Sequence, residues 1–320
     1  MLESVLITGG TGLIGKPLTK ELVSKGYNVI ILTRGESKPE CNNVSYAHWN
    51  IETGEIDYSA TGDPDYIIHL AGAGVMDKAW TAAYKKTIVD SRIKSSALLL
   101  KYLKQKTNKV KAIVSSSAIG WYGGDASSTY KKNGFIETDP PANDFLGDTC
   151  RLWEESISPA RAAGIRVVNL RTGIVLSNEG GAFPEFKKSL QFGIASVLGS
   201  GIQVISWIHI HDLVEMYITA MTDANLTGPY NAVAPFPVTN KTLIIKTAER
   251  LKGKFYLPVH VPEFVLKLMM GQRSVEILKS TTVDSKKIQD AGFNFAYKTI
   301  NEALDNLCTT TKILVKPAID

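Results

Sequence analysis

The stretch ITGGTGLIG at 7–15 sets glycines 9, 12 and 15 at GxxGxxG spacing, directly after a β-branched run and directly before a helical one. Glycines in that context allow a tight turn and close backbone approach, so that a pyrophosphate can rest on the amides of a helix N-terminus. The second β-branched run ends in ILTRG. Arg34, with Lys38 nearby, stands where an NAD-specific site carries an acidic residue for the ribose 2′-hydroxyl. An arginine can pair with a 2′-phosphate instead. Such a charge-assisted hydrogen bond contributes about 1.5–3 kcal/mol, or about ten- to a hundredfold in affinity. NADP(H) is therefore the expected cofactor.

A second stretch, DFLGDTCRLWEE at 144–155, predicts a helix starting beside Asp144, with Cys150 and Glu154 four apart on one face. A thiol with an ordinary pKa of about 8.5 reacts only where a cation or a helix terminus lowers it. The helix pattern alone leaves the role of Cys150 open between lining a site and reacting in one.

Elements must hold these residues in place. VLIT (5–8), NVIILT (28–33), DYIIHLA (65–71), KAIVSSS (111–117) and RVVNLR (166–171) read as strands buried on both faces. Segments 15–27 and 87–106 carry apolar residues at helical spacing. This alternation predicts an α/β fold of the Rossmann type, a doubly wound parallel sheet with helices on both faces. Residues 180–201 read as a Gly-rich excursion, 207–223 as a short strand into a helix, and 228–235 as a strand returning to the sheet. Pro-bounded helical segments follow from 236. The expected division is an NADP(H)-binding domain over 1–175 and 206–235, and a smaller, mostly helical substrate lobe over 176–205 and 236–308. Residues 309–320 read as a loose tail.

Composition narrows the class. The chain has 320 residues, 44% hydrophobic and 21% charged, with formal net charge +5. Its 36 basic residues form no dense block, so nucleic-acid binding is not expected, whereas an anionic substrate or cofactor suits the field. Three separated cysteines and five histidines give neither a disulfide framework nor a metal pattern. The start MLESVLITGG is too short before its glycines for a signal peptide, and no apolar run suits a membrane span. A cytoplasmic protein acting on a small molecule is expected, with its oligomeric state left open.

GGTGLIG, HLAG at 69–72 and SSSAIGWYGG at 115–124 together resemble the short-chain dehydrogenase/reductase superfamily, in its extended, epimerase-like branch. The resemblance implies a cofactor cradle of Gly9, Thr11, Gly12, Leu13, Ile14 and Gly15. Leu70, Ala71, Gly72 and Ser115 would lie beside the cofactor, and Ser117 would assist at a substrate carbonyl. The family's Tyr-x-x-x-Lys, aligned by Glu154, falls on Leu146 and Cys150. Neither is a chemical equivalent, since leucine transfers no proton and a neutral thiol supplies no cation. A formal YxxxK at Tyr102–Lys106 precedes the serine strand and reads as a solvated helix end.

WTAAYKKTIVDSR (80–92), LRTGIVLS (170–177), SWIHIHDL (206–213) and the segment from VPEFVLKLMMGQ (261–272) to KIQDAGFNF (287–295) extend the likeness. They are similar to an atypical subgroup, sugar-nucleotide epimerase-like proteins in which cysteine replaces the lysine and a small C-terminal domain of uncharacterised function follows. In that likeness Arg92 stands where extended relatives have asparagine and would bind cofactor phosphates or an anionic substrate. Trp207 to Asp212 would contribute substrate contacts. Tyr122, Cys150 or a water would move the proton. The expected function is an NADP(H)-dependent oxidoreductase or epimerase acting on a carbonyl or hydroxyl, such as that of a nucleotide sugar. The alternative is a catalytically silent NADP(H)-binding sensor or partner-binding module.

Overall fold

The computed structural model describes residues 2–105, 108–126 and 133–313. In chain order its first strands are β1 (Ser4–Thr8), β2 (Asn28–Thr33), β3 (Lys38–Cys41), β4 (Val44–Asn50), β5 (Glu55–Ile56), β6 (Tyr66–His69), β7 (Ala112–Ala118) and β8 (Arg166–Thr172). Helices α1 (Gly15–Ser24), α2 (Ala82–Gln105) and α3 (Phe145–Ile157) lie between them. The β-branched runs become strands because their side chains are covered on both faces: Val5, Leu6, Ile7, Ile67, Ile68, Ile113, Val114, Val167 and Val168 are all fully buried. Across the sheet the order is the strand Gly228–Ala232, then β8, β7, β6, β1, β2, β4 and β3. Pairing is parallel from β8 through β4. The strand order reverses direction at β1, with β2 on one side and β6 on the other. In open α/β sheets that switch point is where ligands bind, at the carboxyl ends of the strands.

Segment 38–56 was not expected as strand, yet β3 and β5 flank β4 in antiparallel pairs. In β4 only Ala47 and Trp49 are buried, so the segment is a half-covered edge and lacks the continuous apolar run of the central strands. Helix α2 starts at Ala82, before the expected 87, and α1 ends at Ser24 rather than 27.

The chain forms two compact units. The first holds Met1–Gly123, Glu137–Thr172 and Leu213–Asn231, and the second Gly124–Ile136, Gly173–Asp212 and Ala232–Asp320. Segment 206–212, assigned to the dinucleotide domain from sequence, clusters with the second unit because Trp207–His209 pairs in parallel with Ile174–Leu176. The second unit also contains the parallel pair Ile194–Leu198 and Leu257–Val261, and helices Ala182–Lys188, Asn240–Lys252, Glu263–Met270 and Ile300–Ile313. Its core gathers Leu176, Phe183, Trp207, Leu243, Leu304 and Leu307. The tail read from 309 is helical as far as Ile313, and residues 314–320 lie outside the described residues. No helix among the described residues is long and apolar enough to cross a membrane.

Candidate active site

The glycine turn follows β1. Gly9 has φ +71°, in the left-handed region, and its carbonyl accepts from the Gly12 amide at 3.0 Å. A Cβ on Gly15 would stand 2.3 Å from the Gly9 oxygen, and one on Gly9 would stand 3.1 Å from the Leu70 carbonyl carbon. The turn is thus folded tightly on itself and against the end of β6. Thr8 fixes that contact. Its Oγ1 accepts from the amides of Leu70 and Ala71, each at 3.0 Å, and lies 2.7 Å from His69 Nδ1. With those lone pairs engaged, the threonine proton goes to Nδ1, which leaves the His69 proton on Nε2, facing Ser95 and Ser96. Burial pushes the His69 pKa down to about 3, so the imidazole stays neutral.

Helix α1 opens at Gly15 with no capping side chain from Ile14 and no acidic residue in its first turn. Within that first turn the Lys16 amide already donates to the Gly12 carbonyl at 3.1 Å and Pro17 has no amide hydrogen, so an anion would meet the Gly15 amide and those of the turn before it. Thr11 is exposed, and Leu13 and Ile14 are half-buried around the turn. Arg34 follows β2, exposed, and forms no ion pair among the described residues.

The serine strand leads to a buried polar network. Ser117 Oγ donates to Glu154 Oε1 at 2.7 Å, and Arg171 grips the same carboxylate through Nε (2.8 Å) and Nη2 (3.0 Å). Arg171 Nη1 also donates to Tyr122 Oη and to the Glu137 carbonyl, both at 3.0 Å. The guanidinium carbon lies 3.6 Å from the centroid of the Trp121 ring. Tyr122 is fully buried and donates to Asn231 Oδ1 at 2.6 Å, while Glu137 Oε1 accepts from the Asn231 amide at 2.8 Å. Burial raises the Tyr122 pKa well above its ordinary value despite the Arg171 charge. A phenol held in this way is a structural crosspiece. Ser115 is also buried and donates to the Ser116 carbonyl.

Helix α3 begins as expected. Asp144 is its N-cap, with Oδ1 accepting from the Gly147 amide at 2.8 Å. A Cβ on Gly120 would stand 3.2 Å from Leu146 Cβ and 3.7 Å from Cys150 Sγ, so both side chains pack on the segment just past β7. Cys150 is 4% exposed, and burial pushes its thiol up to about 12, outweighing Arg92 nearby. Arg151 turns outward to Asp148 and Glu155. The thiol therefore stays protonated at neutral pH. Iodoacetamide at neutral pH is expected to modify exposed Cys41 and spare Cys150 and Cys308 in the folded chain, as peptide mass mapping would read.

One sequence reading changes. Tyr102 is no solvated helix end: it is fully buried, stacks on Tyr58 with centroids 5.6 Å apart, and its Oη meets the Gly62 carbonyl, while Lys106 lies outside the described residues. In the second unit Trp207 is fully buried with its indole N–H on the Phe236 carbonyl, and Asp212 accepts the Ala296 and Tyr297 amides. Those groups hold the unit together. The Glu154–Arg171 pair was missed from sequence, Glu154 having served only as an alignment mark. The available signal was Glu154 on the Cys150 face of its helix and Arg171 closing the buried run VVNL. No cluster of three or more metal-ligating side chains occurs among the described residues.

Known proteins resemble the chain over most of its length. Residues 5–233 match the NAD dependent epimerase/dehydratase family, and residues 261–307 match a domain of unknown function, DUF1731. An "Epimerase family protein" of Staphylococcus aureus (strain NCTC 8325 / PS 47) is 35% identical over 306 residues, covering 96% of this chain and 99% of its own. The human epimerase family protein SDR39U1 (isoform 2), solved with NADPH, is 25% identical and superposes with a TM-score of 0.81, covering 96% of this chain and 99% of its own. A nucleoside-diphosphate sugar epimerase from Corynebacterium glutamicum is 30% identical with a TM-score of 0.75, covering 96% of this chain and 58% of its own.

Proposed function

Because the chain belongs to the NAD dependent epimerase/dehydratase family, we propose that its first unit binds NADP(H) and serves an oxidoreductase or epimerase acting on a carbonyl or hydroxyl group, such as that of a nucleotide sugar. The second unit would then hold the substrate. The observation that carries the reading is the glycine turn closed against β6, with the uncapped N-terminus of α1 behind it. Gly9, Thr11, Gly12, Leu13, Ile14 and Gly15 would cradle the pyrophosphate, and Leu70, Ala71, Gly72 and Ser115 would line the cofactor's course. Arg34 would take the 2′-phosphate, and the human relative solved with NADPH supports that choice. A nicotinamide held there supplies hydride exchange. Ser117, whose proton goes to Glu154, would accept a hydrogen bond from a substrate hydroxyl, and would have to turn from Glu154 to donate to a carbonyl oxygen.

The test is calorimetric titration with NADPH, NADP⁺, NADH and NAD⁺. Wild type is expected to bind NADP(H) at least about tenfold tighter than NAD(H), and Arg34→Asp to lose that preference. Failure of all four to bind would sink the reading. The tyrosine and lysine positions are Leu146 and Cys150, and Tyr122 is locked in the core. Those observations favour a second reading, a silent cofactor-binding module. The two part at Ser117→Ala: an enzyme loses turnover with cofactor affinity intact, whereas a module has no turnover to lose.

A further inference from the structure

Arg92, on α2, is a buried cation without a counter-ion. The residue is 8% exposed, and among the described residues its hydrogen bonds both come from Nη1, to the Ile88 carbonyl at 2.8 Å and the Ala73 carbonyl at 3.1 Å. No carboxylate among the described residues pairs with it. Its guanidinium carbon lies 4.6 Å from the centroid of the Trp153 ring, and Trp153, 5% exposed, keeps a buried indole N–H with no acceptor. A Cβ on Gly72 would stand 3.1 Å from Arg92 Cζ, so a glycine just past β6 is what admits the guanidinium there. Taking such a charge out of water without a counter-charge is strongly unfavourable. Its retention implies an anion from outside the chain.

The topology says which anion. With the order β7, β6, β1, β2, a dinucleotide's pyrophosphate belongs to the turn after β1 and its 2′-phosphate to Arg34 after β2. Arg92 stands past the end of β6, on the opposite side of β1 from Arg34. The nicotinamide half that extends that way carries no further phosphate. On α3 the side chains placed beside it, Trp153 and Cys150, are neutral, and Arg171 is committed to Glu154. We infer that Arg92 pairs with an anionic group of the substrate, a carboxylate or phosphate, and not with the cofactor. The inference rests on the NADP(H) reading for its geometry and narrows the substrate to an anionic carbonyl or hydroxyl compound.

The test uses the full chain, free and saturated with NADPH. Its melting temperature is followed against orthophosphate and, separately, acetate, with chloride holding ionic strength constant. Wild type is expected to show a saturable rise with at least one anion, whether NADPH is present or not. Arg92→Gln should weaken the apparent anion affinity at least tenfold while binding NADPH within about twofold of wild type. It should melt no lower than wild type in chloride, because it removes an unpaired buried charge. Arg92→Lys keeps the charge and should retain a weakened response. An undiminished response in Arg92→Gln, or no response to either anion in wild type, overturns the inference. So does loss of the wild-type response on adding NADPH, which would return the cation to the cofactor. Failure of both variants to fold would make Arg92 structural and also overturn it. If wild type binds no NADPH, the proposed function fails by itself, and the cofactor-free titration still decides whether Arg92 holds an anion.

Discussion

Gly15→Val is expected to weaken NADPH binding by at least about a hundredfold, or about 2.7 kcal/mol. The reason is steric and local. A side chain at 15 would begin 2.3 Å from the Gly9 oxygen and 2.5 Å from Gly10 Cα, both backbone atoms. Neither can withdraw without opening the turn, because the space beside Gly9 is closed by Leu70 and Ala71, which even an added Cβ would meet at 3.1–3.2 Å. Relief therefore means moving the first turn of α1 away from β1, which disperses the amides that would hold a pyrophosphate. Gly124→Ala is the control. Its new methyl group meets nothing closer than 3.5 Å, so affinity should stay within about twofold of wild type. Calorimetry of both variants decides. Undiminished NADPH binding by Gly15→Val would remove the glycine turn from the cofactor site.

Arg171→Met is expected to cost about 3–5 kcal/mol of stability, because it strands a buried carboxylate. The Arg171 side chain is 3% exposed and that of Glu154 is 10% exposed, so water cannot readily replace the lost partner. Ser117 would then remain on Glu154, and Tyr122 Oη would lose the Arg171 donor. Glu154→Leu should cost a similar amount by stranding the guanidinium. The double variant is expected to be less destabilised than the sum of the two, and a double-mutant cycle from chemical unfolding measures that coupling. Additive effects would show that the pair does not act as a unit.

Much of this arrangement was legible in the residues themselves. The central strands could be read because their apolar runs are long enough to be covered on both faces, and the glycine turn because its spacing sits between a strand and a helix. Asp144 predicted its own helix start. The edge around β4 was lost because Ala47 and Trp49 alone of its residues are buried, which leaves no unbroken apolar run. The polar network was lost for a different reason. Glu154, Arg171, Glu137 and Asn231 come from separated segments, and only the folded chain brings a carboxylate, a guanidinium and a phenol to hydrogen-bond distance. Cys150 could be placed at the lysine position by spacing, but its inertness comes from burial, which spacing does not report. Arg92 could be seen as unusual for its position. That it has no carboxylate beside it depends on what the neighbouring helices happen not to supply.

The hydroxyl of Thr8 has a consequence for the thermodynamics of loading. By taking two amides past β6 and giving its proton to a neutral imidazole, it fixes the spacing between β1 and β6 from within the chain. The turn is therefore held in shape by the chain's own hydrogen bonds. A nucleotide that enters has little backbone to organise, so the ordering entropy that a floppy loop would subtract from contact free energy is small here. Affinity at this turn then reports the quality of the contacts themselves.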